Sequence, residues 1–269
     1  MTEMQRKLLD MLTFLTKYFD DNGLTYYVVG GTMLGAVRHK GFIPWDDDID
    51  VALPRPDYER LISMRKEIAG KYKLETPYDD NPDYVYTFCK LYDTETTLIE
   101  RLRHDVKRGV YIDVFPLDGV GKTYDEALAF TKSVDRKNMF LMTQVCAIRK
   151  ERKWYKNAAL VLSRCLPIDA KKLSVKIDRT AKQKDYDESV YVANLNGAYR
   201  EKEIVEKRIF GTPTAYPFED ITVKGPELYE EFLTHIYGDW RKLPPEEKRG
   251  VQHDFAYLDL ERPYGEGRA

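Results

Sequence analysis

The sequence predicts an α+β fold: a mixed sheet with flanking helices, followed by a mainly helical addition. Three observations predict it. Apolar runs of strand length alternate with helical patterns over roughly the first 120 residues. From Lys122 to about Lys184 the spacing is mostly helical and rich in lysine and arginine. After that, strand-like and helical stretches return. Early alternation followed by a helical block suits one sheet layer covered by helices, with a helical unit attached. The organisation expected is a core over 1–121, a helical addition over 122–189, and a segment over 190–269 that packs back on the core, all with soft boundaries.

The elements follow in order. In "MTEMQRKLLDMLTFLTKYF", Leu8, Leu12, Leu15 and Phe19 recur at helical spacing, which predicts an amphipathic helix. The stretch lacks the continuous apolar core of a signal peptide. "LTYYVVGG" reads as a strand and "TMLGAVRHK" as a short helix, with Thr32 placed to cap it. "DIDVAL" reads as a second strand. "PRPDYERLISMRKEIA" opens with prolines and continues at helical spacing through Leu61, Met64 and Ile68. "YKLETPY", "YVYTFCKLYD", "TTLIERLR" and "GVYIDVFPLDGV" read as further strands. "SVYVANL" and the helix "PELYEEFLTHIYG" belong to the last third.

Composition excludes several classes. The chain has 269 residues, 43% of them hydrophobic, which is enough for a globular core. A net charge of −2 gives no sign of a general nucleic-acid binder. Cys89, Cys146 and Cys165 are odd in number, far apart and without metal-ligand spacing, so a reducing, cytoplasmic compartment is expected. No window approaches the roughly 18 apolar residues of a membrane span.

The chemistry concentrates in "GFIPWDDDIDV", from Gly41 to Val51. Alternate side chains of a strand point to opposite faces. Ile49, Val51 and Leu53 would then enter the core, while Asp48 and Asp50 project together from the other face. Two carboxylates held this close repel unless a cation lies between them or one is protonated. Hard oxygen ligands favour Mg²⁺ or Mn²⁺. Asp46 and Asp47 precede the strand and read as loop residues. In "GVYIDVFPLDG", Asp113 shares a face with Tyr111 and Phe115. It would supply a third carboxylate if the two strands are neighbours.

Upstream, "VVGGTMLG" ends a strand on two glycines and begins a helix. Gly30 and Gly31 allow the backbone to approach a ligand closely, and the first helical turn offers N–H groups to an anion. Thr32 adds a hydroxyl, and Arg38 and Lys40 lie within reach of phosphate. A phosphate cradle beside carboxylates that hold a metal is equipment for phosphoryl or nucleotidyl transfer. Other readings fit less well. A calcium loop would need glycine where Val51 stands, and Pro54 and Pro56 interrupt it. A glycosyltransferase Asp-x-Asp normally follows a full nucleotide-binding half-domain, and only 47 residues precede Asp48. No Walker-type loop occurs.

"GGTMLGAVRHKGFIPWDDDIDVALPRPDYERL" closely resembles the signature of the LicD family, bacterial phosphotransferases related to the fukutin proteins. "FCKLYDTETTLIE", "YIDVFPLDG" and the C-terminal stretch ending at His253 agree in order, so the resemblance runs from about Leu24 to His253. It implies a nucleotidyltransferase-type fold. It also implies transfer of a phospho-alcohol, typically phosphocholine, from a CDP-linked donor to a cell-surface glycan or its lipid-linked precursor, such as teichoic acid or lipopolysaccharide. Asp48, Asp50 and Asp113 would be the metal ligands and catalytic carboxylates, with Mg²⁺ or Mn²⁺ as cofactor. Gly30, Gly31 and Thr32 would face the donor phosphates. Arg38, Lys90 and His253 are further donor-binding candidates. The alternatives are a nucleotidyltransferase that releases pyrophosphate and a catalytically silent nucleotide-binding module.

One stretch stands outside that pattern. "RKERKWYKNAALVLSRCLP", from Arg149 to Pro167, joins basic residues to Trp154, Tyr155 and a short apolar run. It fits a helix lying on an anionic membrane surface, which a lipid-linked acceptor would suit. It equally fits a core helix with a solvated basic end.

Overall fold

The computed structural model describes residues 1–150, 152–165, 167–250 and 255–265, apart from the side chain of Lys248. The chain opens with helix α1 (Glu3–Asp21), capped by Thr2 and Gln5 in reciprocal hydrogen bonds. Its predicted stripe of Leu8, Leu12, Leu15 and Phe19 is fully buried. Strand β1 (Tyr27–Val28), helix α2 (Gly30–Arg38), strand β2 (Asp50–Pro54) and helix α3 (Arg55–Met64) follow. Then come β3 (Tyr72–Glu75), β4 (Cys89–Asp93), β5 (Thr97–Arg101), β6 (Asp105–Arg108) and the long β7 (Tyr111–Gly121). Helices α4 (Tyr124–Val145), α5 (Trp154–Ser163) and α6 (Ala170–Ala181) come next. The last part holds β8 (Tyr191–Ala193), β9 (Val205–Glu206), β10 (Thr214–Phe218), β11 (Ile221–Gly225), α7 (Tyr229–Tyr237) and β12 (Phe255–Asp259).

The central sheet runs β1-β2-β7-β4-β3, with β8 on the far half of β7 and β9 on β8. Among the described residues of this sheet only β2 and β7 pair in parallel; the other neighbours are antiparallel. The mixture follows from connectivity. Chain from α3 to β6 separates β2 from β7, long enough for the crossover that a parallel pair needs. The length of β7 lets one strand serve two sets of neighbours, β2 and β4 first and β8 further on. β5 and β6 form a separate sheet with β12, and β10 and β11 form a hairpin.

Several details depart from the sequence reading, two of them in the fold. "YVYTFCKLYD" becomes a strand only from Cys89. Thr32 does not cap α2: the helix starts at Gly30, Val29 occupies the cap position, and the Thr32 hydroxyl accepts from the backbone N–H of Asp50 at 2.9 Å. The side chain ties helix to strand instead of closing the helix end. Among the described residues, no helix is long and apolar enough to cross a membrane.

Candidate active site

The parallel pairing of β2 and β7 sets Asp50 directly beside Asp113. Backbone bonds hold that junction. Val29 N–H donates to Asp50 O, and Asp113 N–H donates to Ile49 O. The apolar partners Ile49, Val51, Leu53, Ile112 and Val114 are buried. Burial of these side chains fixes the register, since a slip of one residue would send them to the other face. Asp48 lies just before β2 and not within it. Strand alternation is therefore not what places it, yet Asp46, Asp48, Asp50 and Asp113 line one cavity of about 680 Å³. Gln5 of α1 holds the approaching loop by donating to the backbone carbonyl of Asp46 at 2.9 Å.

Gly30 and Gly31 lie against these carboxylates. A Cβ on Gly30 would come within 2.8 Å of Asp50 Oδ2, and one on Gly31 within 2.7 Å of Asp46 Oδ2. Gly30 also has φ +56°, in the left-handed region. Both glycines, the first residues of α2, line the cavity.

The electrostatics are uneven. Burial pushes the Asp50 carboxyl well above the ordinary carboxylate range, and Asp48, Asp113 and Asp46 push it further, while Lys90 opposes them. Asp113 is also raised by burial, against the pull of Lys90. The Lys90 ammonium sits 2.6 Å from Asp113 Oδ1 and 3.4 Å from the centre of the Tyr111 ring. Its side chain is only 2% exposed. Lys90 is thus a buried countercharge for Asp113, and the cavity wall does not include it. Arg38 does line the cavity, and its guanidinium donates to the carbonyl of Trp240 at 2.8 Å. His253 lies outside the described residues.

Sequence reading missed the opposite wall. Asn194, Asn196, Tyr199, Glu203, Tyr237 and Trp240 line it. Tyr199 and Tyr237 meet edge to face with ring centroids 5.2 Å apart. Burial pushes the Glu203 carboxyl up to about 7; the Tyr199 N–H holds it down and Asp135 pushes it further up. The available signal was "NLNGAY", polar residues directly after the buried end of β8. Nothing local says which cavity they face. Asp46 was read as a loop residue. It is one, but it lines the site, and its carboxylate clusters with those of Asp47 and Asp48, with oxygens within 4.8 Å of one another.

This donor set fits a hard divalent cation: all oxygen, several carboxylates converging, and glycine backbone close by. Carboxylates on adjacent parallel strands beside a glycine turn suit an enzyme that acts on phosphate groups. The chain belongs to the LicD family. Residues 23–155 match the LicD/FKTN/FKRP nucleotidyltransferase domain. The chain is 30% identical over 258 residues to the lipopolysaccharide cholinephosphotransferase LicD of Haemophilus influenzae, covering 93% of this chain and 95% of that protein. Over 65 residues it is 32% identical to human ribitol 5-phosphate transferase FKRP, which covers 24% of this chain and 13% of that protein. An uncharacterized Rickettsia typhi protein, RT0683, is 36% identical over 60 residues. Membership places the chain among phosphotransferases.

Proposed function

We propose that this protein transfers a phospho-alcohol, phosphocholine in the first instance, from a CDP-linked donor to a hydroxyl of a cell-surface glycan precursor. A lipopolysaccharide or teichoic acid precursor is the acceptor class, and the reaction takes place on the cytoplasmic side. The observation that carries the reading is the register of Asp50 beside Asp113, at the mouth of the glycine turn, in a chain similar along nearly its whole length to a cholinephosphotransferase.

In this reading the acceptor oxygen attacks the distal phosphorus of the donor, the anhydride P–O bond breaks, and CMP leaves with that bond's electrons. Asp48, Asp50 and Asp113 hold Mg²⁺ or Mn²⁺, which neutralises phosphate oxygens when bound. Gly30 and Gly31 keep the wall low enough for the diphosphate to approach, and Arg38 meets phosphate charge from the cavity side. Asp113 accepts the acceptor hydroxyl's proton. Lys90 holds that carboxyl in place and opposes the upward push of its burial.

The test offers CDP-choline, CDP-glycerol, CDP-ribitol and simple nucleoside triphosphates with Mg²⁺ and scores the products. CMP from a CDP-alcohol supports the proposal. Pyrophosphate from a triphosphate would replace it with nucleotidyl transfer. Absence of both with every substrate would point to a silent binding module.

A further inference from the structure

Helix α5 is amphipathic the wrong way round for a core helix. Only Leu160 of its ten residues is buried. Its inner side is held by polar bonds. Gln144 of α4 donates to Ser163 O, Asn157 donates to Arg149 O, and Arg164 just past the helix donates to Thr143 O. At about 100° per residue, Trp154, Ala158, Val161 and Leu162 fall on the side opposite Leu160, with Tyr155 beside them. All five are exposed. Trp154 is 79% exposed and Leu162 74%. The core-helix reading of this stretch therefore fails: the apolar stripe faces away from the protein.

The helix has a basic N-terminal flank and a polar side away from the stripe. Arg149, Lys150, Arg152 and Lys153 lead into the helix, and Lys156 lies on the side of the helix away from the stripe, against the single acidic Glu151 in the sequence, within a chain whose net charge is −2. Lys150, Lys153 and Lys156 are exposed. We propose that α5 and its basic flank dock this protein onto an anionic lipid surface, lying in the interface with Trp154 and Leu162 inserted. A ten-residue helix is about 15 Å long, half the hydrocarbon thickness of a bilayer, so it lies on the membrane and does not cross it. Apolar side chains flanked by lysines and an interfacial tryptophan match what such a surface offers. A second copy of the chain suits the face less, because a two-fold contact there would bring the two basic flanks close together. The inference concerns where the enzyme sits and stands independently of the reaction proposed above.

Co-sedimentation with vesicles tests it, using the full chain, equimolar phosphatidylglycerol and phosphatidylcholine against phosphatidylcholine alone, at low and moderate salt. Trp154 fluorescence provides a second readout. The expected result is binding to the anionic vesicles that weakens with salt, with a blue shift that Trp154→Phe removes. Replacing Lys150, Lys153 and Lys156 by Gln should lower partitioning about fivefold per charge, on the order of a hundredfold together. Trp154→Ser with Leu162→Ser should lower it at least about tenfold. Both variants alter exposed positions, so their melting temperatures and CMP release should match wild type. No binding to anionic vesicles, equal binding to neutral ones, or unchanged binding by both variants would overturn the proposal. So would a dimer in solution that Leu162→Ser dissociates, with no vesicle binding by wild type.

Discussion

Strands β2 and β7 run side by side, and charged groups lie at both ends of the pair. At one end Asp50 faces Asp113, with Asp48 and Asp46 close by; among the described residues Asp50 has no ion pair. At the other end Arg55, the residue after β2, clasps Asp118 of β7 with two bonds of 2.6 and 2.9 Å and reaches Asp178 of α6 at 2.8 Å. Tyr78 donates to the remaining oxygen of Asp178, and Lys182 closes the group onto Glu59. The Asp118 carboxylate is fully buried and has both oxygens engaged. The same two strands thus carry one charge cluster in which every member is paired and another in which Asp113 is paired with Lys90 but Asp50 has no ion pair among the described residues. Buried charge that serves the fold is paired and hydrogen-bonded. Carboxylates crowded until their protonation shifts suit the cation site proposed above.

The comparison is broken most sharply by removing one carboxylate from each end. Asp48→Asn or Asp50→Asn should lower turnover about 10³-fold or more, since each removes a proposed metal ligand. The metal-free variants should melt no lower than metal-free wild type, because repulsion is relieved. Asp47→Ala should cost less than about tenfold, since Asp47 does not line the cavity. Steady-state CMP release and thermal melts check all three.

At the satisfied end the signs reverse. Asp118→Asn leaves the buried Arg55 short of a countercharge and should cost about 3–5 kcal/mol, lowering the melting temperature by about 6–20 °C. Activity of the protein that remains folded should change far less than in Asp50→Asn. A melt at the wild-type temperature would show that the Arg55 cluster contributes little to the fold.

The contrast also shows what was legible in the sequence. The strand face of Asp50 and Asp113 could be read because alternation is local, as could the stripe of α1. The partner of each strand could not: Asp50 meets Asp113 only because β2 skips four intervening strands to pair with β7. Lys90 was a donor-binding candidate through the family resemblance alone; its burial under Tyr111 and Tyr86 comes from the aromatic packing around β4. Arg55 and Asp178 are 123 residues apart, and no spacing rule joins them. In the opposite wall Asn194, Tyr199 and Glu203 come from one short segment, and Tyr237 joins them from α7.

A smaller effect sharpens the comparison through pH. In the metal-free protein, Asp50 is raised by burial first and by Asp48, Asp113 and Asp46 next, with Lys90 opposing. The folded state therefore holds this proton more tightly than the unfolded chain, whose carboxyls titrate near about 3.9. That contribution is fully present below the unfolded value and is lost as pH rises through the raised one. Metal-free wild type should lose stability over this window relative to Asp50→Asn. Parallel melting curves across pH would count against the crowding if chelator-treated samples show them.

The most direct measurement of the central claim is thermal melting of chelator-treated wild type and Asp50→Asn with increasing Mn²⁺. A cation that completes the cluster should raise the wild-type melting temperature by about 5–10 °C at a hundredfold excess over its dissociation constant. Asp50→Asn should start no lower than wild type and respond little. Equal responses in the two proteins, or none in wild type, would contradict the assignment of the Asp50 end as a metal site.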